Sequence, residues 1–426
     1  MVETPGLMVD MLPSGCERGL LTMSVIDSDD QPRASASSSA AIRESVIVAG
    51  HRLDVFTEAP ALFESMLGDI DQAQHRIWME TYIFADDASG TAIAQALMRR
   101  ARQGLDVRLL YDTVGSTATP LAFFAMLREA GVRVHGYHSL WESLRKVRFF
   151  TIFNRRDHRK LLVVDDRCAY FGGMNIVDHG RDWRYLNLDD RAAPMTGWRD
   201  MHIRMEGPQQ QQLTESFERS WAHATGLRLG RRSTAYRRVR LSGGAESIHF
   251  FDSGPGLKFS RAPRVYRRML GGAQHSVVIA MAYFIPVGRV MFALTRLRSR
   301  KVGVRIIVPA RPDVRVARYA TLYLYKRLLR AGFAIHERTT RMMHTKLIVI
   351  DRQWTILGSA NMDPRSLYTN LELMAVIRSD RFAAVARRIC RHEIRRSRRV
   401  RLADVARYSV RTRFLAMLAW SLRWWL

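Results

Sequence analysis

One short pattern occurs twice in this chain, and it constrains the fold more than any other feature. His158, Lys160 and Asp165 recur at the same spacing as His344, Lys346 and Asp351. Each copy is followed by a small-residue turn and an Asn, as Gly172-Gly173-Met174-Asn175 and Gly358-Ser359-Ala360-Asn361. A single HxKxxxxD arises by chance in roughly one in a hundred chains of this composition, so a matched pair with matched sequels is hard to obtain by accident. Lysine is also scarce: among 67 Lys and Arg residues only six are Lys, and two of those six stand in the motifs. A chain that repeats such a pattern is expected to repeat the structural unit that carries it. Two imidazoles and two ammonium groups in matched settings suit the cutting and remaking of a phosphodiester bond. One imidazole attacks phosphorus, the other protonates the leaving alcohol, and the lysines hold the phosphate oxygens.

The local pattern supports this. Residues 158–164 and 344–350 read as strands, so His and Lys two positions apart share a face. The apolar runs behind them suit central, buried strands. Asp165 and Asp351 belong to the motif but fall at the strand ends, where fixing the following turn suits them better than chemistry. Asp200 and Glu372 each open a further apolar strand. From a neighbouring strand, such a carboxylate accepts the second ring N–H of a catalytic His, sets its tautomer and stabilises an imidazolium. The competing reading is a solvated acid at a strand end.

The chain organises around the repeat. Residues 1–45 mix Gly, Pro, Ser and acids and read as a mobile leader. The first half, 46–225, predicts strands over 76–84, 106–111 and 132–137 alternating with helices over 91–103 and 122–130. A basic linker is expected over 226–245. The second half, 246–400, repeats the order with strands over 276–284, 304–308 and 333–337 and helices over 289–300 and 317–330. Alternation of this kind argues for α/β lobes with mostly parallel central sheets. Residues 139–156, aromatic and basic, read as a rim or lid or as an ordinary surface loop.

The formal charge of +27 points to a polyanionic partner, either nucleic acid or an anionic membrane surface. Three widely spaced cysteines give neither a disulfide framework nor a metal-ligand spacing. No secretory signal and no run of about 18 apolar residues is expected to act as an export signal or spanning helix. The segment 401–426 combines Arg with Trp420, Trp424 and Trp425, which suits a membrane interface. The competing reading is a helix docked on the protein's own core.

These residues resemble the phospholipase D superfamily, marked by a doubled HxKxxxxD followed by a small-residue turn and Asn. Within it the chain is similar to bacterial cardiolipin synthases of the non-spanning type, over about residues 47–400. Stretches carrying the likeness include Glu80-Thr81-Tyr82-Ile83-Phe84, Trp198-Arg199-Asp200-Met201-His202 and Asn361-Met362-Asp363-Pro364-Arg365-Ser366. The resemblance implies two α/β lobes with sheets side by side and one active site at their pseudo-twofold interface. It implies His158 as nucleophile and His344 as general acid. Lys160, Lys346, Asn175, Asn361 and Ser359 would bind the phosphoryl oxygens, and Asp200 and Glu372 would orient the histidines. It implies no metal and no cofactor, because the lysines supply the positive charge. The implied reaction moves a phosphatidyl group from one phosphatidylglycerol to another and releases glycerol, at the cytoplasmic side of the bacterial inner membrane through peripheral contact. A hydrolytic phospholipase D, another phosphatidyltransferase, or a nuclease on the same scaffold stays open; the Trp-rich tail favours lipid over nucleic acid. The acceptor alcohol, which of the two histidines attacks, and the oligomeric state stay open.

Overall fold

The computed structural model describes residues 43–137, 155–178, 197–227, 245–254 and 260–425. The expected leader, the 139–156 stretch and the linker lie outside these residues except at their margins. The alternating patterns become two copies of one unit. In the first lobe a hairpin of β1 (Arg43–Val48) and β2 (His51–Phe56) precedes α1 (Ala59–Asp71), β3 (Arg76–Thr81), α2 (Ala88–Arg102), β4 (Asp106–Asp112), α3 (Leu121–Glu129) and β5 (Arg133–Tyr137). Then come β6 (Leu161–Val164), β7 (Cys168–Gly172), β8 (His202–Glu206) and α4 (Gln210–Thr225). The second lobe runs β9 (Ser247–Ser253), α5 (Ala262–Gly272), β10 (Ser276–Met281), α6 (Gly288–Ser299), β11 (Gly303–Pro309), α7 (Arg315–Arg330) and β12 (Ala334–Arg338). It continues through β13 (Lys346–Ile350), β14 (Trp354–Gly358), α8 (Pro364–Tyr368), β15 (Glu372–Arg378), α9 (Asp380–Arg395) and β16 (Ser397–Val400). Two short helices close the chain, α10 (Leu402–Ala406) and α11 (Val410–Ser421).

Each lobe holds an eight-stranded sheet, ordered β1-β2-β8-β7-β6-β3-β4-β5 and β16-β12-β11-β10-β13-β14-β15-β9. Read backwards from β9, the second order repeats β2-β8-β7-β6-β3-β4-β5 of the first, with β13 in the place of β6, while β1 and β16 are edge strands without a counterpart. The two-lobe α/β expectation holds, but the sheets are mixed rather than mostly parallel. Only β3-β4-β5 and β10-β11-β12 pair in parallel. Parallel neighbours need a long crossover, and in these trios a helix joins each strand to its parallel neighbour. The short Asp165-Asp166-Arg167 connection makes β6 and β7 an antiparallel hairpin. The helices follow ordinary rules: α2 starts where Asp87 accepts from Gly90 N–H, buries Ile93, Ala94 and Leu97, and ends in Arg99, Arg100 and Arg102.

One apolar cluster covers the outer face of the first sheet under α1, α2 and α3, and a second covers that of the other sheet under α5, α6 and α7. A third cluster joins the lobes, taking Ile203 and Trp221 from the first and Phe250, Ile307 and Phe382 from the second. The lobes also exchange backbone hydrogen bonds beside each motif. Leu371 N–H donates to Arg156 O at 2.9 Å and His158 N–H to Leu371 O at 3.0 Å. In the mirrored arrangement, Arg199 N–H donates to Met342 O at 2.8 Å and His344 N–H to Arg199 O at 2.6 Å. His158 and His344 therefore precede their strands rather than lying within them, because their N–H groups are turned to the opposite lobe.

The C-terminal segment docks on the protein, as the competing reading expects, and also keeps an exposed apolar face. Helix α11 docks on the protein, with Ala416 and Ala419 buried and Trp420 stacked on Tyr323 of α7 at 5.2 Å. Its other face leaves Phe414, Met417, Leu418 and Leu422 exposed, as are Trp424 and Trp425. The Arg-rich stretch before it is largely built into α9, where Arg388 pairs with Glu44 of β1, and into β16, where Arg398 pairs with Glu337. Among the described residues no helix is long and apolar enough to cross a membrane.

Candidate active site

Both motif histidines line one cavity of about 530 Å³ between the lobes. Each leans on a carboxylate of the other lobe. His158 Nδ1 lies 3.1 Å from Glu372 Oε2, at the head of β15. His344 Nδ1 lies 2.7 Å from Asp200 Oδ2, just ahead of β8. Nδ1 is thus engaged in both rings, which turns Nε2 to the chemistry, free of a protein partner among the described residues at His158 and 3.1 Å from Lys346 Nζ at His344. The solvated strand-end reading of both acids is excluded, since Glu372 is 0% and Asp200 4% exposed.

The lysines stand directly behind the rings and are themselves buried. Lys160 Nζ donates to His158 O at 2.7 Å and lies 5.2 Å from the centre of the Tyr82 ring. Lys346 Nζ reaches Asp200 Oδ2 at 3.4 Å and also donates to His344 O. The alternation of the motif sends Arg159 to the opposite face, where it bonds Ser220 and lies 3.8 Å from both Glu80 and Asp252. Asn175 and Asn361 both line the cavity, and Asn175 Oδ1 accepts from Ile83 N–H at 3.3 Å.

Burial and crowding of positive charge set the protonation states. His158 is pushed well below the usual histidine value by burial first, then by Lys160 and Lys346. His344 is lowered by burial and Lys346, with Asp200 acting against them. Lys160 falls to about 7, chiefly through burial. For Asp200, burial works upward, but Lys346 and His344 outweigh it and hold the carboxyl below its ordinary value. Glu372 goes the other way: burial pushes it up to about 7 against the pull of Lys160. The His344 partner is thus firmly ionised, while the His158 partner is held near its own titration point.

Seven expected site residues are not in the cavity wall: Lys160, Lys346, Asp200 and Glu372 stand behind the two histidines, and the remaining three are Asp165, Asp351 and Ser359. Asp165 sits at the far end of β6 with a φ of 52° and accepts from the backbone N–H of Gln74, His75 and Arg76. Asp351 does the same for Gln274, His275 and Ser276 with a φ of 54°. Both tie the end of the motif strand to the start of its neighbour, which corrects their place among the catalytic groups and agrees with the turn-fixing alternative. Ser359 is buried and donates to Glu372 while accepting from Leu373 N–H at 3.1 Å. It steadies the carboxylate rather than facing the cavity.

The cavity also holds groups that the spacing argument did not assign. Tyr82 meets the His158 ring edge-on at 5.1 Å, and Trp198 lies 4.9 Å from the His344 ring. Arg156, Arg365, Tyr283 and Asp313 belong to its polar wall, and Trp425 reaches it from the tail. Tyr82 and Trp198 fall inside stretches that carry the family resemblance, so a signal existed for them. Asp313 and Trp425 had none.

Comparison with known proteins accords with this geometry. The family model described as cardiolipin synthase, PLD-like domain, matches residues 66–221 and 266–393. The chain belongs to this PLD-like family. A cardiolipin synthase of Halalkalibacterium halodurans is 33% identical over 328 residues, covering 76% of this chain and 62% of that one. A cardiolipin synthase A of Pseudomonas aeruginosa is 32% identical over 337 residues, covering 79% and 65%. The matched region thus spans a little under two thirds of these relatives. Among solved structures, a phosphatidylserine synthase of Haemophilus influenzae aligns at a TM-score of 0.62 with 14% identity, over 88% of this chain and 95% of that one. A polyphosphate kinase of Porphyromonas gingivalis aligns at 0.55 with 12% identity, over 84% and 49%. At such identities these two show a shared fold.

Proposed function

We propose that the chain is a cardiolipin synthase, transferring a phosphatidyl group from one phosphatidylglycerol to another by way of His158. The observation that carries the reading is the reciprocal pairing of His158 with Glu372 and of His344 with Asp200, which serves one cavity from two lobes. His158, held neutral, attacks phosphorus through Nε2. The bond from phosphorus to the glycerol oxygen breaks, and His344 gives that oxygen its proton. Asp200, ionised, is what lets His344 carry the proton. A hydroxyl of a second phosphatidylglycerol then attacks the phosphohistidine while His344 takes its proton, and the phosphorus–nitrogen bond breaks. Lys160, Lys346, Asn175 and Asn361 hold the phosphoryl oxygens, supplying the positive charge that a metal provides in other phosphoryl-transfer sites. Asp165 and Asp351 brace the strands that carry these groups.

Lipid rather than nucleic acid is favoured by the exposed face of α11, which is followed by Trp425 in the cavity wall. This places an apolar, Trp-bearing surface beside the opening, suited to peripheral contact with a membrane that contains the substrate. The test is product identification. Purified protein on vesicles of phosphatidylglycerol, labelled in the headgroup glycerol, should yield cardiolipin and free glycerol in equal amounts. Phosphatidic acid in place of cardiolipin would make the chain a hydrolase, and cleavage of DNA without lipid turnover would make it a nuclease.

A further inference from the structure

The polar wall of the cavity is electrically divided. Arg365 and Arg156 line it, and Arg365 is among the positive charges felt by His158. Near His344 the wall carries a carboxylate instead. Tyr283 lies 6.3 Å from the His344 ring, ring centre to ring centre, and its hydroxyl donates to Asp313 Oδ1 at 2.6 Å. Among the described residues no Lys or Arg forms a salt bridge with Asp313, and Oδ2 carries no hydrogen bond. The other cavity-lining carboxylate, Asp363, is already engaged, accepting from Ser366 N–H at 2.9 Å to start α8. The first lobe shows no match: the loop after β4 presents Thr117 and Thr119 to the cavity, and Asp112 is turned inward to the N–H groups of Val114, Gly115 and Asp157.

A carboxylate in a cavity for phosphodiester anions repels the phosphate. Asp313 favours the charged forms of His344 and Lys346, and towards the substrate its open oxygen suits a neutral part that donates hydrogen bonds. In an in-line displacement the leaving alcohol departs opposite the nucleophile, and the incoming alcohol must approach along the same line. With His158 on phosphorus, both alcohols therefore occupy the His344 side. We propose that Asp313, positioned by Tyr283, forms a polyol subsite that accepts hydrogen bonds from the free hydroxyls of a glycerol headgroup, first on the leaving glycerol and then on the acceptor. This rests on the assignment of phosphatidyl transfer with His344 at the alcohol, and it adds what that assignment lacks, the group that selects the alcohol.

A site built to bond a hydroxyl rejects an analogue that lacks it far more strongly than an apolar pocket does. The full chain is incubated with phosphatidylglycerol vesicles and equal concentrations of deuterated glycerol and 1-propanol. The quantity read is the ratio of deuterated phosphatidylglycerol to phosphatidylpropanol, which does not depend on the overall rate. The wild-type protein should favour glycerol, and Asp313→Ala should reduce that preference about tenfold or more, the range of a charge-assisted hydrogen bond. Tyr283→Phe should reduce it by a smaller factor, because the carboxylate stays but loses its anchor. A folded Asp313→Ala protein with the wild-type ratio would overturn the subsite. If cardiolipin forms and the ratio is unmoved, the subsite fails and the synthase reading stands. If cardiolipin is absent but the ratio collapses in the variant, the synthase reading fails and the subsite stands. No transfer to either alcohol by the wild-type protein would overturn both.

Discussion

At His344 the ring rests on an ionised Asp200, whereas at His158 it rests on Glu372, a carboxyl pushed up to about 7 mainly by burial. That difference divides the labour between two rings that the motif writes identically. The spacing of His, Lys and Asn marked the groups proposed to react, and the strand-opening positions of Asp200 and Glu372 marked the acids that pair with the rings. It could not show that each acid serves the other lobe's His, since a pairing across 214 residues leaves no local pattern. The raised carboxyl has a measurable consequence. A folded-state value above the unfolded one of about 4.3 contributes stability that is fully present below pH ~4.3 and is lost as pH rises through about 7. Glu372→Gln should therefore leave stability little changed at pH 5 and raise it by about 1–3 kcal/mol at pH 8, while turnover falls. Denaturant unfolding at the two pH values checks this. A variant less stable than wild type at pH 8 would mean that Glu372 is held ionised and stabilising.

Among the elements, the trio β3-α2-β4-α3-β5 and its repeat in the second lobe were readable because apolar periodicity changes cleanly between strand and helix. Strand direction was misjudged where the connection was short: Asp165-Asp166-Arg167 leaves no room for a crossover, and that signal was present in the chain. The tail was ambiguous for a physical reason. Helix α11 turns Ala416 and Ala419 inward and Phe414, Met417 and Leu418 outward, so from Phe414 on it is apolar on both sides and no periodicity marks the docked side. The outward side is the proposed membrane contact. Phe414→Glu combined with Leu418→Glu alters only exposed positions, so the melting temperature should hold. Sedimentation with phosphatidylglycerol vesicles should show binding weakened about tenfold or more, the scale of burying two such side chains. Unchanged vesicle binding would place the contact elsewhere.

For the molecule as a whole, duplication supplies the active site. Neither lobe holds a complete one, because each His is steadied by a carboxylate and a backbone carbonyl of the other. In the proposed mechanism the charges that meet the phosphate are lysines, so chelation by EDTA should leave turnover within about twofold of the untreated rate. Loss of activity in EDTA, with recovery on adding a divalent ion, would contradict that. The central claim is that two lobes present one nucleophile and one acid to a single phosphorus. Its most direct test is a rapid acid-free quench of protein mixed with phosphatidylglycerol carrying a labelled phosphorus, followed by peptide mapping. The account predicts an acid-labile label on the peptide containing His158. It should be absent in His158→Ala, and product formation should fall about a hundredfold or more in His344→Ala. A label on His344, or turnover retained by a folded His158→Ala protein, would contradict it.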